Sequence, residues 1–264
     1  MTNQMTNKIF LLHASQASKL DGQWGLTESQ LAKMKELQDR KEAAIKPLTD
    51  NMKDELHALV LAHLNPELPQ TAKTFLNEWY ADEREEAWSK YTAKGNMVEI
   101  DNIDFMAKVL DFGFAQKNVD FASDDYFAGT ADVVMKDRVS DVKSCWSKKT
   151  LFDVCVNGYD KAYELQGQVY MEIYKKKKFN LFYGLQDTPA EVMYSKQEVI
   201  YSDLADHERF INFEFEYDES ILSRLRERII AARIYLAQHH EKVSQTIGKT
   251  HLGTNFKSVI TKIK

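Results

Sequence analysis

Cysteine is scarce. Cys145 and Cys155 are the only two in 264 residues, which excludes a small secreted scaffold stapled by disulfides. Each reads as a reduced thiol in a cytosolic core. Long apolar runs are missing as well. The patch Ile9-Phe10-Leu11-Leu12 is far shorter than the apolar stretch of a signal peptide, and no run approaches the ~20 residues of a membrane span. The expectation is a cytoplasmic protein with no membrane partner. Glycine-rich phosphate loops of the Walker or Rossmann kind are absent, so no ATPase is expected. Positive charge is not in excess either: 35 Lys and Arg against 40 Asp and Glu leave a net −5. That balance excludes a protein coating nucleic acid by bulk electrostatics. It does not exclude an enzyme whose acidic side chains hold a cation.

What is present is an ordinary globular composition, 44% hydrophobic and 28% charged, in a chain long enough to bury a substantial core. Residues 27–64 read as helix, broken by Pro66 and Pro69. A second helix is predicted over 71–92, including the acidic run Asp82 to Glu86, with Gly95 interrupting the pattern. Ile100, Ile103, Ala107 and Leu110 then recur at helical spacing, ending near Gly113. The texture changes after Phe121. Residues 126–135 and 138–145 are Val- and aromatic-rich and predict a β-hairpin across Lys136-Asp137. A helix over 160–177, strands over 179–185 and 210–217, and a helix over 221–237 follow. This order predicts an α/β fold, a mixed central sheet flanked by helices, with a helical N-terminal region. The predicted domains are that region over 1–94, a core over 95–240 and a basic tail over 241–264. Lys175 to Lys178 and the lysines of the tail read as solvated surface, with nucleic-acid contact as the alternative.

The hairpin carries the chemistry. With Lys136-Asp137 as a two-residue turn, Asp132 and Asp141 stand opposite one another, about 4.5–5.5 Å apart at Cβ. Two carboxylates at that separation can grip one hard cation. Lys143, two residues past Asp141, shares its face. Magnesium favours oxygen ligands and often uses only one or two carboxylates plus substrate phosphate. A lysine beside it can stabilise a developing phosphorane. The alternative is a surface ion pair on an exposed strand. Asp39-Arg40-Lys41 repeats the acid-x-Lys spacing, but on a helix, where positions i and i+2 do not share a face. His239-His240 reads as a solvent-exposed pair rather than a metal site, and Cys145 has no sequence-local histidine to make it a nucleophile.

The order Gly129-Thr130-Ala131-Asp132, then Asp141-Val142-Lys143-Ser144, then Gln166 to Tyr170 resembles the PD-(D/E)XK nuclease superfamily, and within it the RecB-like and λ-exonuclease-like (YqaJ-type) phage nucleases. The likeness runs over most of the chain from Gly95 onward. It implies a metal held by Asp132, Asp141, the Val142 carbonyl and an upstream acid. Lys94-Gly95 points to Glu99 as that acid, with Asp101 as the competitor in a shifted register. Lys143 would assist the nucleophile. Gln166 and Tyr170, one helical turn apart, would position substrate, and Ser15 would approach the DNA backbone. The implied cofactor is Mg²⁺ or Mn²⁺. Some relatives hold an iron–sulfur cluster through four cysteines; with two here, none is expected. Some use a motif histidine, which this chain lacks.

The function implied is exonucleolytic resection of linear duplex DNA in phage recombination or replication, in the host cytoplasm. DNA is the expected partner, a phage recombinase or single-strand-binding protein the expected protein partner, and a homo-oligomer the expected assembly. The rivals are a structure-specific endonuclease, a nuclease of RNA or single strands, and an inactive nucleic-acid-binding module on the same fold.

Overall fold

The computed structural model describes residues 9–22, 24–43, 47–64, 67–82 and 88–249. Strand β1 (Leu12–His13) and helices α1 (Ala17–Leu20), α2 (Glu28–Ala43), α3 (Asp50–Leu64) and α4 (Gln70–Ala81) come first. Helices α5 (Lys90–Met97) and α6 (Glu99–Val109) precede β2 (Ala122–Ser123), β3 (Phe127–Gly129), β4 (Val133–Val134) and β5 (Arg138–Ser144). Then come α7 (Lys148–Asn157), α8 (Lys161–Ile173), β6 (Lys178–Gly184), β7 (Phe210–Glu216) and α9 (Glu219–Thr246). The chain divides into two units, one of residues 1–20 and 84–230, the other of residues 21–83 and 231–264.

The first unit is the mixed α/β part. Its larger sheet has the order β4-β5-β6-β7. β5 and β6 run parallel, and the outer pairs are antiparallel. Parallel neighbours require a crossover, and α7 with α8 supply it. Side chains alternate across β5 and β6, so the sheet has two dressed faces. Val142 and Phe182 pack on Ile103, Phe105 and Met106 of α6. On the opposite face α8 approaches so closely that a Cβ at Gly167 would lie 2.1 Å from Cδ1 of the fully buried Phe179. A smaller sheet, β1-β3-β2, holds the N-terminal patch, with Leu12 paired parallel to Phe127.

The second unit is helical among its described residues. Thr27 and Gln30 form a reciprocal capping box at the start of α2. Leu37, Leu48 and Leu56 make its buried cluster, with Met34, Met52, Leu59 and Val60 packed against them. Here His239 and His240 are half-buried, not solvent-exposed as predicted: Tyr80 OH lies 2.9 Å from His240 Nδ1, and its ring meets His239 edge to face.

Several predicted elements are redrawn. The single helix over 27–64 is two, α2 and α3, with Pro47 between them; proline has no amide hydrogen and disfavours helix at the residue before it. Gly95 does not interrupt a helix but lies inside α5, whose start is capped by Ser89 accepting from the Tyr91 amide. The helix over 160–177 ends at Ile173, because Lys175 turns left-handed at φ 55°. Helix α7 has no counterpart in the sequence reading. Most of the acidic run 82–86 and the tail past Lys249 lie outside the described residues. Lys175 to Lys177 are taken up locally, by Glu172, by the Lys136 carbonyl and by the Tyr217 ring.

Candidate active site

The hairpin register is the one its two-residue turn demands. Val133 pairs with Ser140, Val134 with Val139, and the Met135 amide donates to the Arg138 carbonyl at 2.9 Å. One further step of that register sets Asp132 opposite Asp141. The strand predicted over 126–135 is nevertheless broken. β3 leaves for the smaller sheet, the chain bends at Asp132, and β4 keeps only two residues. The ladder does not stop unsatisfied: Asp132 Oδ2 accepts the Val142 amide at 2.7 Å. A side chain stands where the partner strand's carbonyl would be. The amide and carbonyl of one strand residue face the same edge, so the Val142 carbonyl faces this edge too.

Asp141 and Lys143 share the α8 face. Asp141 is 1% exposed. Its Oδ2 lies 2.7 Å from Lys143 Nζ, and its Oδ1 accepts from Gln166 Nε2 at 3.1 Å. Gln166 Nε2 also donates to the buried Tyr170 hydroxyl at 2.9 Å. Both side chains come from one face of α8, whose N-terminus is capped by Asp160 accepting from the Ala162 amide. The same face carries Tyr163, three residues before Gln166, and Lys143 Nζ sits 4.4 Å from its ring centroid. On the far face of the sheet, Asn102 of α6 donates to the Lys143 carbonyl and to Ser144 Oγ, fixing the end of β5.

The electrostatics follow from this burial. Desolvation first, and the Asp141 carboxylate second, push the Asp132 pKa up to about 7, against the pull of the Val142 amide and Lys143. Burial would lower Lys143, but the Asp141 and Asp132 carboxylates outweigh it and raise its pKa. Burial, then Asp141, raises the Tyr170 phenol.

Glu99 is the first residue of α6, and its field reaches Asp132. Its carboxylate is paired with Lys117 Nζ. Asp101 is exposed. Ser15 is exposed on the 3-10 turn Ala14–Gln16, which packs beside β3 and α8: a Cβ at Gly129 would lie 3.1 Å from both Ala14 Cβ and Tyr170 Cε1. Its side chain makes none of the contacts given above for Asp132, Asp141 and Lys143. Tyr163 and Lys117 are absent from the sequence reading. Tyr163 has a usable signal, its spacing from Gln166 and Tyr170. Lys117 has none, because it arrives through a non-local bridge to Val133.

Among the described residues no three His, Cys, Asp or Glu side chains form a ready-made metal cage. The donors that do converge are hard oxygens: two carboxylates facing across the hairpin and the main-chain edge at Val142. A half-buried carboxylate with a raised pKa beside a fully buried second one fits a cation that would relieve both, and a magnesium site needs no more than one or two protein carboxylates.

No protein-family model matches the sequence, and no curated protein matches it. Solved structures do. A phage-related exonuclease from Haemophilus somnus 129PT superposes with a TM-score of 0.64 at 16% identity, over 92% of this chain and 99% of that one. The alkaline exonuclease LHK-Exo from Laribacter hongkongensis superposes at 0.54 and 10% identity, over 93% and 97%. LHK-Exo in complex with dAMP gives 0.53 and 11%, over 89% and 92%. This chain has the fold of those exonucleases along nearly its whole length, the fold expected from the Asp132, Asp141-Val142-Lys143 and Gln166 pattern.

Proposed function

We propose that this protein is a divalent-metal-dependent deoxyribonuclease that removes nucleotides from an end of linear duplex DNA, serving phage recombination or replication. The observation that carries the reading is the Asp132–Asp141–Lys143 group, with Asp141 buried between two half-buried partners and pinned by Gln166, on a fold shared with exonucleases. Asp132, Asp141 and the Val142 carbonyl would hold Mg²⁺ or Mn²⁺, with Glu99 as the third carboxylate. When bound, the ion polarises the scissile phosphate and acidifies the attacking water. Lys143 keeps its proton at Nζ and offsets negative charge developing on phosphorus. Gln166 holds Asp141 in one rotamer, and Tyr170 holds Gln166. The Lys143 ammonium also lies over the Tyr163 ring. Ser15, exposed on the turn Ala14–Gln16, would meet the DNA backbone. A recombinase or single-strand-binding protein as partner, a homo-oligomeric assembly and work in the host cytoplasm complete the reading.

Digestion of end-labelled linear duplex, beside a covalently closed circle, tests it with Mg²⁺ present. Release of mononucleotides from the linear form and an intact circle are expected. A cut circle would make the enzyme an endonuclease, and hydrolysis indifferent to Mg²⁺ and Mn²⁺ would overturn the metal reading. Lys143→Ala should lose roughly 10²–10³-fold in kcat, with circular dichroism checking the fold; full activity in a folded variant would remove the lysine from the mechanism. Tyr163→Leu should lower kcat about tenfold with KM little changed, while Tyr163→Phe, which keeps the ring face, should restore it. Equal kinetics in Tyr163→Leu and wild type would show the ring to be packing alone.

A further inference from the structure

Two segments beside the site carry lysines and no acids. Residues 88–98 hold Lys90 and Lys94, and residues 142–152 hold Lys143, Lys148 and Lys149, with no Asp or Glu in either, in a chain of net charge −5. The fold brings them together where α5 lies against β5. The Tyr91 ring meets the Trp146 ring edge to face, centroids 5.2 Å apart. Lys90 Nζ lies 4.9 Å from the Trp146 centroid and 5.3 Å from that of Tyr91. Beneath them the buried Lys94 donates to the carbonyls of Cys145 at 2.8 Å and Trp146 at 3.2 Å, tying the segments together. Trp146 is thus half-buried and held, while Tyr91 is 59% and the neighbouring Trp88 80% exposed.

Acids do face this surface from other elements, and two of the three are engaged. Asp187 lies in the field of Lys94 but accepts from the Tyr201 and Ser202 amides. Asp153 is paired with Lys149 at 2.7 Å, which leaves Lys90 and Lys148 to define the charge. The exposed Glu191 sits on the 3-10 turn Ala190–Val192. In sequence the surface begins at Trp146, three residues past Lys143, just beyond the end of β5.

We propose that this surface is a stacking platform for an unpaired DNA strand: Tyr91, backed by Trp146, takes a nucleobase, and Lys90 and Lys148 take flanking phosphates. An exposed ring can stack only on a base whose own face is open, which excludes bases inside a duplex; lysines interleaved with aromatics are the usual composition of single-strand grooves. The proposal rests on the nuclease reading for its substrate, but its test does not require hydrolysis.

Fluorescence anisotropy with a labelled oligothymidylate, in EDTA so that nothing is cut, measures it on the full chain. Tyr91→Ala should weaken binding by roughly 5- to 100-fold and Tyr91→Phe by no more than about twofold. Lys90→Ala should flatten the dependence of log K on log salt by about 0.7. Unchanged binding in Tyr91→Ala overturns the proposal, as does an equal loss in Tyr91→Phe. A fall in sedimenting mass in Tyr91→Ala, with oligonucleotide binding intact, would make the face a contact between copies and also overturn it. Wild-type protein that binds the oligonucleotide through Tyr91 yet hydrolyses no DNA with metal would sink the nuclease reading and leave the platform standing.

Discussion

Asp132→Asn should abolish metal-dependent hydrolysis and, in metal-free protein at pH 8, raise the melting temperature. Both effects come from one carboxylate. Asparagine keeps an oxygen to accept the Val142 amide, so the edge of the sheet stays closed, but the charge is gone. The pKa of Asp132 lies at about 7 in the fold, against 3.8 for an ordinary aspartate. Below the unfolded value both states hold the proton and nothing is lost. As pH rises from about 4 to 7 the unfolded chain has released its proton and the fold has not, so stability falls. Above 7 the full penalty remains. Discounted for partial exposure, it is on the order of 2 kcal/mol, and removing it should raise Tm by roughly 4–8 °C in a chain this size. Mg²⁺ should stabilise the wild type and not the variant. Activity should fall by at least about a hundredfold. Calorimetry from pH 4 to 8 without metal checks the sign; wild type and variant with parallel pH profiles would show that Asp132 carries no such strain.

Gly167→Val is the second large effect, and it acts through packing. The first added carbon would already sit 2.1 Å from Cδ1 and 2.2 Å from Cε1 of Phe179. That ring is fully buried and stacked on β7's Phe215, centroids 5.7 Å apart. Overpacking of this kind costs roughly 1–3 kcal/mol and sometimes more, here without the gain of about 1 kcal/mol that alanine would recover from helix propensity. Since α8 carries Tyr163, Gln166 and Tyr170, any retreat of the helix also loosens Asp141. Denaturant unfolding should therefore show lost stability together with lost kcat. Gly95→Ala in α5, where an added Cβ meets nothing within 4 Å, is the control and should be neutral or stabilising. A Gly167→Val protein as stable as wild type would mean that α8 and β6 are not held at this spacing.

What could be read in the sequence was what short-range periodicity controls. The two-residue turn at Lys136-Asp137 sets Asp132 across from Asp141, the strand alternation sets Lys143 beside Asp141, and the helical repeat sets Gln166 beneath Tyr170. Each needs only a dozen residues of context. The break between β3 and β4 was not legible, because it depends on Leu12 and His13, more than a hundred residues away, pairing with Phe127 and Ala128. Nor was the Glu99–Lys117 pair, which forms only once the Lys117 segment bridges to Val133. Pro47 was a local signal and is enough to divide α2 from α3. Gly95 misleads in the other direction: its helix cost of about 1 kcal/mol is outweighed by the Ser89 cap and by the bonds that Lys94 makes beneath it.

The bond from Asp132 to the Val142 amide has a further consequence, for how the molecule behaves among its own copies. An open strand edge invites another chain to add a strand, and proteins blunt such edges with charge and with bends. β4 ends in both. An incoming strand would have to evict a carboxylate already bonded to the amide it needs, and bury that charge in doing so. The residue proposed to take a metal is therefore also a gatekeeper of this edge, and a variant that removes its oxygen, such as Asp132→Ala, should leave the Val142 amide without the acceptor that now covers it.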